Sequence, residues 1–168
     1  RQGRGRVIVG GMEAATPATM TQRQPYAKVW SWDSSGTGAF TPLAMPPKLT
    51  AISDIVSDGA GATYIAGVDA MNSGKIWRYR DGEVADTGLV AYRVSALYWS
   101  PNGYLVAGGS DAVKFEGQVW YFVPGGGWTS LDLNGSSEIV NVTGNAATNA
   151  VYAVGMGTSG NSMVWIYR

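Results

Sequence analysis

The stretch Leu105-Val106-Ala107-Gly108-Gly109, followed after a short polar segment by Gln118-Val119-Trp120-Tyr121-Phe122, decides how this chain is read. Each run is short and rich in β-branched or aromatic residues, the composition of a strand. The same pair recurs. Glycine-ended runs stand at Val7-Ile8-Val9-Gly10-Gly11, Tyr64-Ile65-Ala66-Gly67 and Tyr152-Ala153-Val154-Gly155, and tryptophan-centred runs at Lys28-Val29-Trp30-Ser31-Trp32, Lys75-Ile76-Trp77-Arg78-Tyr79 and Met163-Val164-Trp165-Ile166-Tyr167. Trp30, Trp77, Trp120 and Trp165 lie 47, 43 and 45 residues apart. A period of that size marks a chain built from copies of one supersecondary unit.

Working outward, two further runs complete each unit. One follows the tryptophan strand, as in Phe40-Thr41-Pro42-Leu43 and Trp128-Thr129-Ser130-Leu131, and one precedes the glycine strand, as in Ile52 to Val56 and Val94 to Trp99. With strands A to D in chain order, Asp58-Gly59 and Pro101-Asn102-Gly103 turn A into B, while Asp81-Gly82 and Pro124-Gly125-Gly126-Gly127 turn C into D. A four-stranded meander with apolar side chains on both faces cannot cover itself and must stack on its neighbours. Radial stacking around an axis does this, so the expected fold is all-β and β-propeller-like. It comprises four successive four-stranded meander repeats, approximately 6–48, 49–92, 93–135 and 136–168, with the first and last blades incomplete. The first copy opens at strand B and the last stops after strand C, giving three, four, four and three strands. The chain begins with Arg1 instead of Met, which suggests a processed product or a fragment.

The third copy, an apolar run, a double glycine, Tyr121 and the spaced Trp128, resembles a kelch repeat, and Pro42 and Pro46 of the first copy are similar to that family's exit to the next blade. The double glycine becomes Gly67-Val68 and Gly155-Met156 in the second and fourth copies. The resemblance implies a propeller blade. It does not imply an activity, because such scaffolds carry many.

Composition narrows the function from the other side. Lys plus Arg and Asp plus Glu are both 12, and beyond Arg1, Arg4 and Arg6 no stretch concentrates positive charge, so nucleic acid is not the expected partner. No apolar run approaches the ~18 residues that would span a bilayer. Cysteine and histidine are absent, which removes disulfides, thiol and triad chemistry, a His general base, and the usual zinc and haem ligands. The copper-radical oxidases that share the kelch-like fold would lack their Cys and His ligands. No catalytic residue, metal site or cofactor is assigned.

The aromatic pairs at Trp30, Trp77, Trp120 and Trp165 and two positions beyond share one strand face, and inter-blade packing is their expected role ahead of a sugar-stacking ladder. Asp54, Asp58 and Asp69 read as turn formers, since their spacing matches no calcium loop. Asn134-Gly135-Ser136 and Asn141-Val142-Thr143 match the glycosylation tripeptide, but Asn141 falls in an inner strand. The binding surface is expected where antiparallel strands bring the B–C loops and D–A links to one face. It would collect Arg23, Gln24 and Tyr26 from an insertion within 12–26, Asp69 and Asn72 from the second copy, Asp111, Lys114, Phe115 and Glu116 from the third, and Asn161 from the fourth.

The expected function is a non-enzymatic recognition or structural module that presents propeller loops to a glycan or protein partner, extracellular or at a particle surface. Two alternatives stand beside it: a subunit of a larger assembly such as a phage or virion appendage, its blades completed by neighbouring chains as a homo-oligomer or by the remainder of a longer propeller, and a fragment of a glycan-processing enzyme.

Overall fold

A computed structural model describes residues 6–12, 27–33, 39–45, 49–131 and 133–168. The tryptophan period becomes four blades of antiparallel strands. Blade 1 is β1 (Arg6–Met12), β2 (Ala27–Asp33) and β3 (Phe40–Pro42); blade 2 is β4 (Leu49–Ser57), β5 (Thr63–Asp69), β6 (Gly74–Arg80) and β7 (Glu83–Asp86). Blade 3 is β8 (Ala91–Trp99), β9 (Leu105–Asp111), β10 (Gly117–Phe122) and β11 (Trp128–Leu131), and blade 4 is β12 (Ser136–Asn145), β13 (Ala150–Gly157) and β14 (Ser162–Tyr167). These fourteen strands among the described residues are distributed as the repeat predicts.

Strand pairing is sequential within each blade, and one ladder pair, Gly74 with Ala91, continues blade 2 into blade 3. The turns use the conformations their residues favour: Asp81 and Gly82 both have positive φ, at 53° and 90°, the pattern that turns a two-residue hairpin with the twist of its strands.

The innermost strands break the simple alternation. In β4, β8 and β12 the register against the next strand slips twice, leaving Thr50 and Ser53, Tyr92 and Ser95, and Ser137 and Val140 as the extra residues. These bulges bend the strand and push a carbonyl toward its partner. The partner must therefore be glycine. A Cβ at Gly67, Gly109 or Gly155 would lie 2.2, 2.0 or 1.9 Å from the carbonyl oxygen of Ala51, Arg93 or Glu138. The glycine that ends the apolar run in blades 2, 3 and 4 thus faces the bulged strand.

The core lies between blades. Tyr64, Ala66 and Ile76 of blade 2 bury against Val94, Leu97, Leu105, Trp120 and Phe122 of blade 3, with Tyr64 stacked on Trp99 at 5.5 Å. Ala96, Val106 and Val119 meet Ile139, Val142 and Val151 across the next joint, and Val29 meets Ile65 and Tyr79 across the first. Trp77 and Trp120 are buried as the packing role requires, while Trp30 and Trp165 are half-buried.

Candidate functional site

The loops joining the second and third strands of blades 2, 3 and 4 share one frame. Each is closed by a backbone hydrogen bond: Asp69 N–H to the Ser73 carbonyl at 3.0 Å, Asp111 N–H to Glu116 at 2.8 Å, and Gly157 N–H to Asn161 at 2.8 Å. The residue just before the accepting one is left-handed in all three, with φ of 62° at Asn72, 59° at Phe115 and 82° at Gly160. Asn and Gly tolerate that conformation readily. A phenylalanine there is an outlier that costs about 1–2 kcal/mol.

The strained phenyl ring does not recover that cost by burial, being 59% exposed. It meets Tyr92, also exposed, edge to face at a centroid distance of 4.9 Å. Tyr92 is the unpaired residue of the first bulge in β8, two residues before Val94, the partner of Gly109. Asp111 braces the loop from within. One of its carboxylate oxygens accepts the N–H groups of Lys114 and Val113, each at 2.8 Å, and these bonds hold its carboxyl below the ordinary carboxylate range.

Beside this pair, a crevice of about 630 Å³ opens between the link Gly88-Leu89-Val90 and the loop of blade 3. Asp111, Lys114 and Glu116 stand at it, and Trp120 and Trp128 line it. Trp128 is fixed by its indole N–H, which donates to the Thr87 carbonyl at 3.1 Å and so ties the outer strand of blade 3 to blade 2. Hydrogen-bonding groups of both charges thus surround an aromatic-lined hollow. Among the described residues no group of three His, Cys, Asp or Glu side chains could hold a metal ion, and no helix is long and apolar enough to cross a membrane.

Of the residues expected at a binding face, Asp111, Lys114, Phe115 and Glu116 fall on one loop of this site. Asp69 and Asn72 occupy the corresponding loop of blade 2, where one Asp69 carboxylate oxygen accepts the N–H groups of Met71 and Ser73 at 2.9 Å. Asn161 closes the loop of blade 4 and accepts the Ser159 hydroxyl. Arg23, Gln24 and Tyr26 lie outside the described residues. The sequence does not mark Tyr92 or Trp128 as site residues: an aromatic in an apolar run looks like core, and only the bulge distinguishes Tyr92.

No family model matches the sequence, and no curated protein does. Solved structures do. The chain is similar to virginiamycin B lyase from Staphylococcus aureus at 15% identity and a TM-score of 0.60, covering 82% of this chain and 48% of that one. It is similar to a chain of a nidogen/laminin complex at 15% identity and a TM-score of 0.61, covering 84% and 52%. It is also similar to the six-bladed β-propeller lectin of Aleuria aurantia, described as having a novel fucose recognition mode, at 12% identity and a TM-score of 0.59, covering 97% and 53%. The fold is a β-propeller, and the chain spans about half the length of each of these structures.

Proposed function

We propose that the chain is a non-enzymatic recognition module of extracellular or particle-surface origin, built from kelch-like blades, whose loop face binds a glycan. One observation carries this reading: Phe115 occupies a left-handed position where the equivalent residues are Asn72 and Gly160, and its ring is displayed to solvent beside Tyr92. Strain retained at an exposed position calls for a use at that position. Flat aromatic faces beside Lys114 and Glu116 suit a sugar ring, which offers C–H groups to one and hydroxyls to the other. A protein partner is the competing ligand for the same face, and neighbours of both kinds exist, a fucose-recognising lectin and a laminin-complexed nidogen.

The test is binding of the 168-residue chain to a panel of immobilised neutral and acidic oligosaccharides, repeated with Phe115→Gly and Tyr92→Ala. A glycan that binds the parent should bind both variants at least tenfold more weakly while their circular dichroism is unchanged. Equal binding by the parent and Phe115→Gly sinks the site, and a parent that binds no sugar on the panel transfers the face to a protein partner.

A further inference from the structure

We infer that Asn134 is a site of spontaneous deamidation, and that its conversion to isoaspartate loosens the link into blade 4. The chain holds two Asn-Gly steps, Asn102-Gly103 and Asn134-Gly135. Such a step is chemically open because glycine puts no side chain beside the nitrogen that must attack. The backbone nitrogen of the glycine adds to the asparagine Cγ, a succinimide ring closes, and the amide nitrogen leaves as ammonia with the proton of the attacking N–H. Water then opens the ring at either carbonyl. One opening gives aspartate; the other gives isoaspartate, whose main chain runs through the former side-chain carbonyl and is one methylene longer. One water enters and one ammonia departs, with no oxidant or reductant.

The fold treats the two steps differently. At the turn from β8 to β9 the Gly103 N–H donates to the Ser100 carbonyl at 2.9 Å, and the Asn102 N–H to the Ser100 hydroxyl oxygen at 3.2 Å. The attacking nitrogen is occupied there, and Gly103 is half-buried. In the link from β11 to β12, Asn134 and Gly135 are both exposed. The bonds of that link are made by other groups: the Ser136 N–H reaches the Leu133 carbonyl at 3.4 Å, and the Gly135 carbonyl accepts the Thr158 N–H at 2.9 Å. Among the described residues the Gly135 N–H and the Asn134 side chain have no hydrogen-bond partner. The nitrogen and the carbon that must meet are both unheld.

The same bonds say what the change does. Gly135 is tied to Thr158 in the loop after β13, and the buried Ser136 hydroxyl donates to the Gly117 carbonyl at the start of β10. An extra methylene between positions 134 and 135 displaces both ties, which join the link to blades 4 and 3. Aspartate at 134 adds only a charge at an exposed position. The inference is independent of the glycan reading, since it involves no ligand.

The experiment is peptide mapping by mass spectrometry of the 168-residue chain aged at mildly alkaline pH, folded and in guanidinium chloride, with isoaspartate told from aspartate by fragmentation. In the folded chain Asn134 should deamidate roughly two- to tenfold faster than Asn102, the factor set by breaking one backbone hydrogen bond. In guanidinium chloride the two rates should converge. Equal or faster loss at Asn102 in the folded chain, or a ratio that guanidinium leaves unchanged, overturns the site. Thermal melts read the consequence. The aged parent, enriched in isoaspartate, should melt below the fresh parent, while Asn134→Asp, which carries the charge without the methylene, should melt with it. Asn134→Gln, aged alike, should keep its melting temperature; a fall as large as the parent's places the loosening elsewhere and overturns that half of the inference.

Discussion

The backbone N–H of Leu97 donates to one carboxylate oxygen of Asp54 at 2.7 Å, reaching from blade 3 to blade 2, while the other oxygen accepts the N–H of Ile55 at 2.7 Å. One side chain thereby satisfies the irregular backbone of its own bulged strand and anchors the next blade's.

Asp54→Ala should therefore loosen the joint between blades 2 and 3. Hydrogen bonds to a charged acceptor contribute about 1.5–3 kcal/mol each, so the cost is expected at about 3 kcal/mol. A thermal melt should fall by roughly 6–12 °C for a chain of this size. Asp54→Asn keeps one acceptor and should lose about half as much; equal losses would show that the carboxylate's second bond contributes nothing.

Gly109→Ala places a methyl group 2.0 Å from the Arg93 carbonyl oxygen, a contact that backbone on both sides prevents from relaxing. The expected loss is about 3 kcal/mol or more. Gly11 is the equivalent position in blade 1, where among the described residues a Cβ would meet the Trp30 ring, at 3.3 Å. Gly11→Ala should be within about 0.5 kcal/mol of the parent. Chemical denaturation of the two variants side by side decides the matter.

Phe115→Asn should stabilise the fold while the binding face loses its ring. Relief of a left-handed phenylalanine is worth about 1–2 kcal/mol, and loss of the Tyr92 contact returns about 0.5–1 of that. A rise in melting temperature of up to about 6 °C is expected. A fall would mean that the ring is held for packing.

Acid should open the loop of blade 3 late. The Asp111 carboxyl is depressed in the fold by the Lys114 and Val113 N–H groups, so its contribution is full above the unfolded carboxylate range and is lost as pH falls through the lower folded value. In an NMR titration the Val113 and Lys114 amide signals should move together with a midpoint below 3.8, the ordinary value for an aspartate. Asp111→Asn should abolish the transition, and a midpoint at or above the ordinary value would contradict the brace.

Much of the architecture is legible because the four tryptophans and the glycine runs repeat at blade length. The inner strands are less so. Reading alternation alone starts them at Ile52 and Val94, whereas β4 and β8 begin at Leu49 and Ala91, since the bulges at Thr50 and Tyr92 put two residues opposite one and break the period of two. The site divides the same way. Lys114, Phe115 and Glu116 stand out as a longer loop between two recognisable strands, but nothing in the sequence says that position 115 is left-handed. Tyr92 is hidden because a bulge residue has the composition of the strand it interrupts.

The glycine facing a bulged carbonyl in blades 2, 3 and 4 also separates frame from display. Because that backbone fit is the same at 67, 109 and 155, three successive copies carry one strand-to-strand joint. The loops beside it differ from copy to copy, with Asn72, Phe115 and Gly160 at one position, on a frame the three blades share.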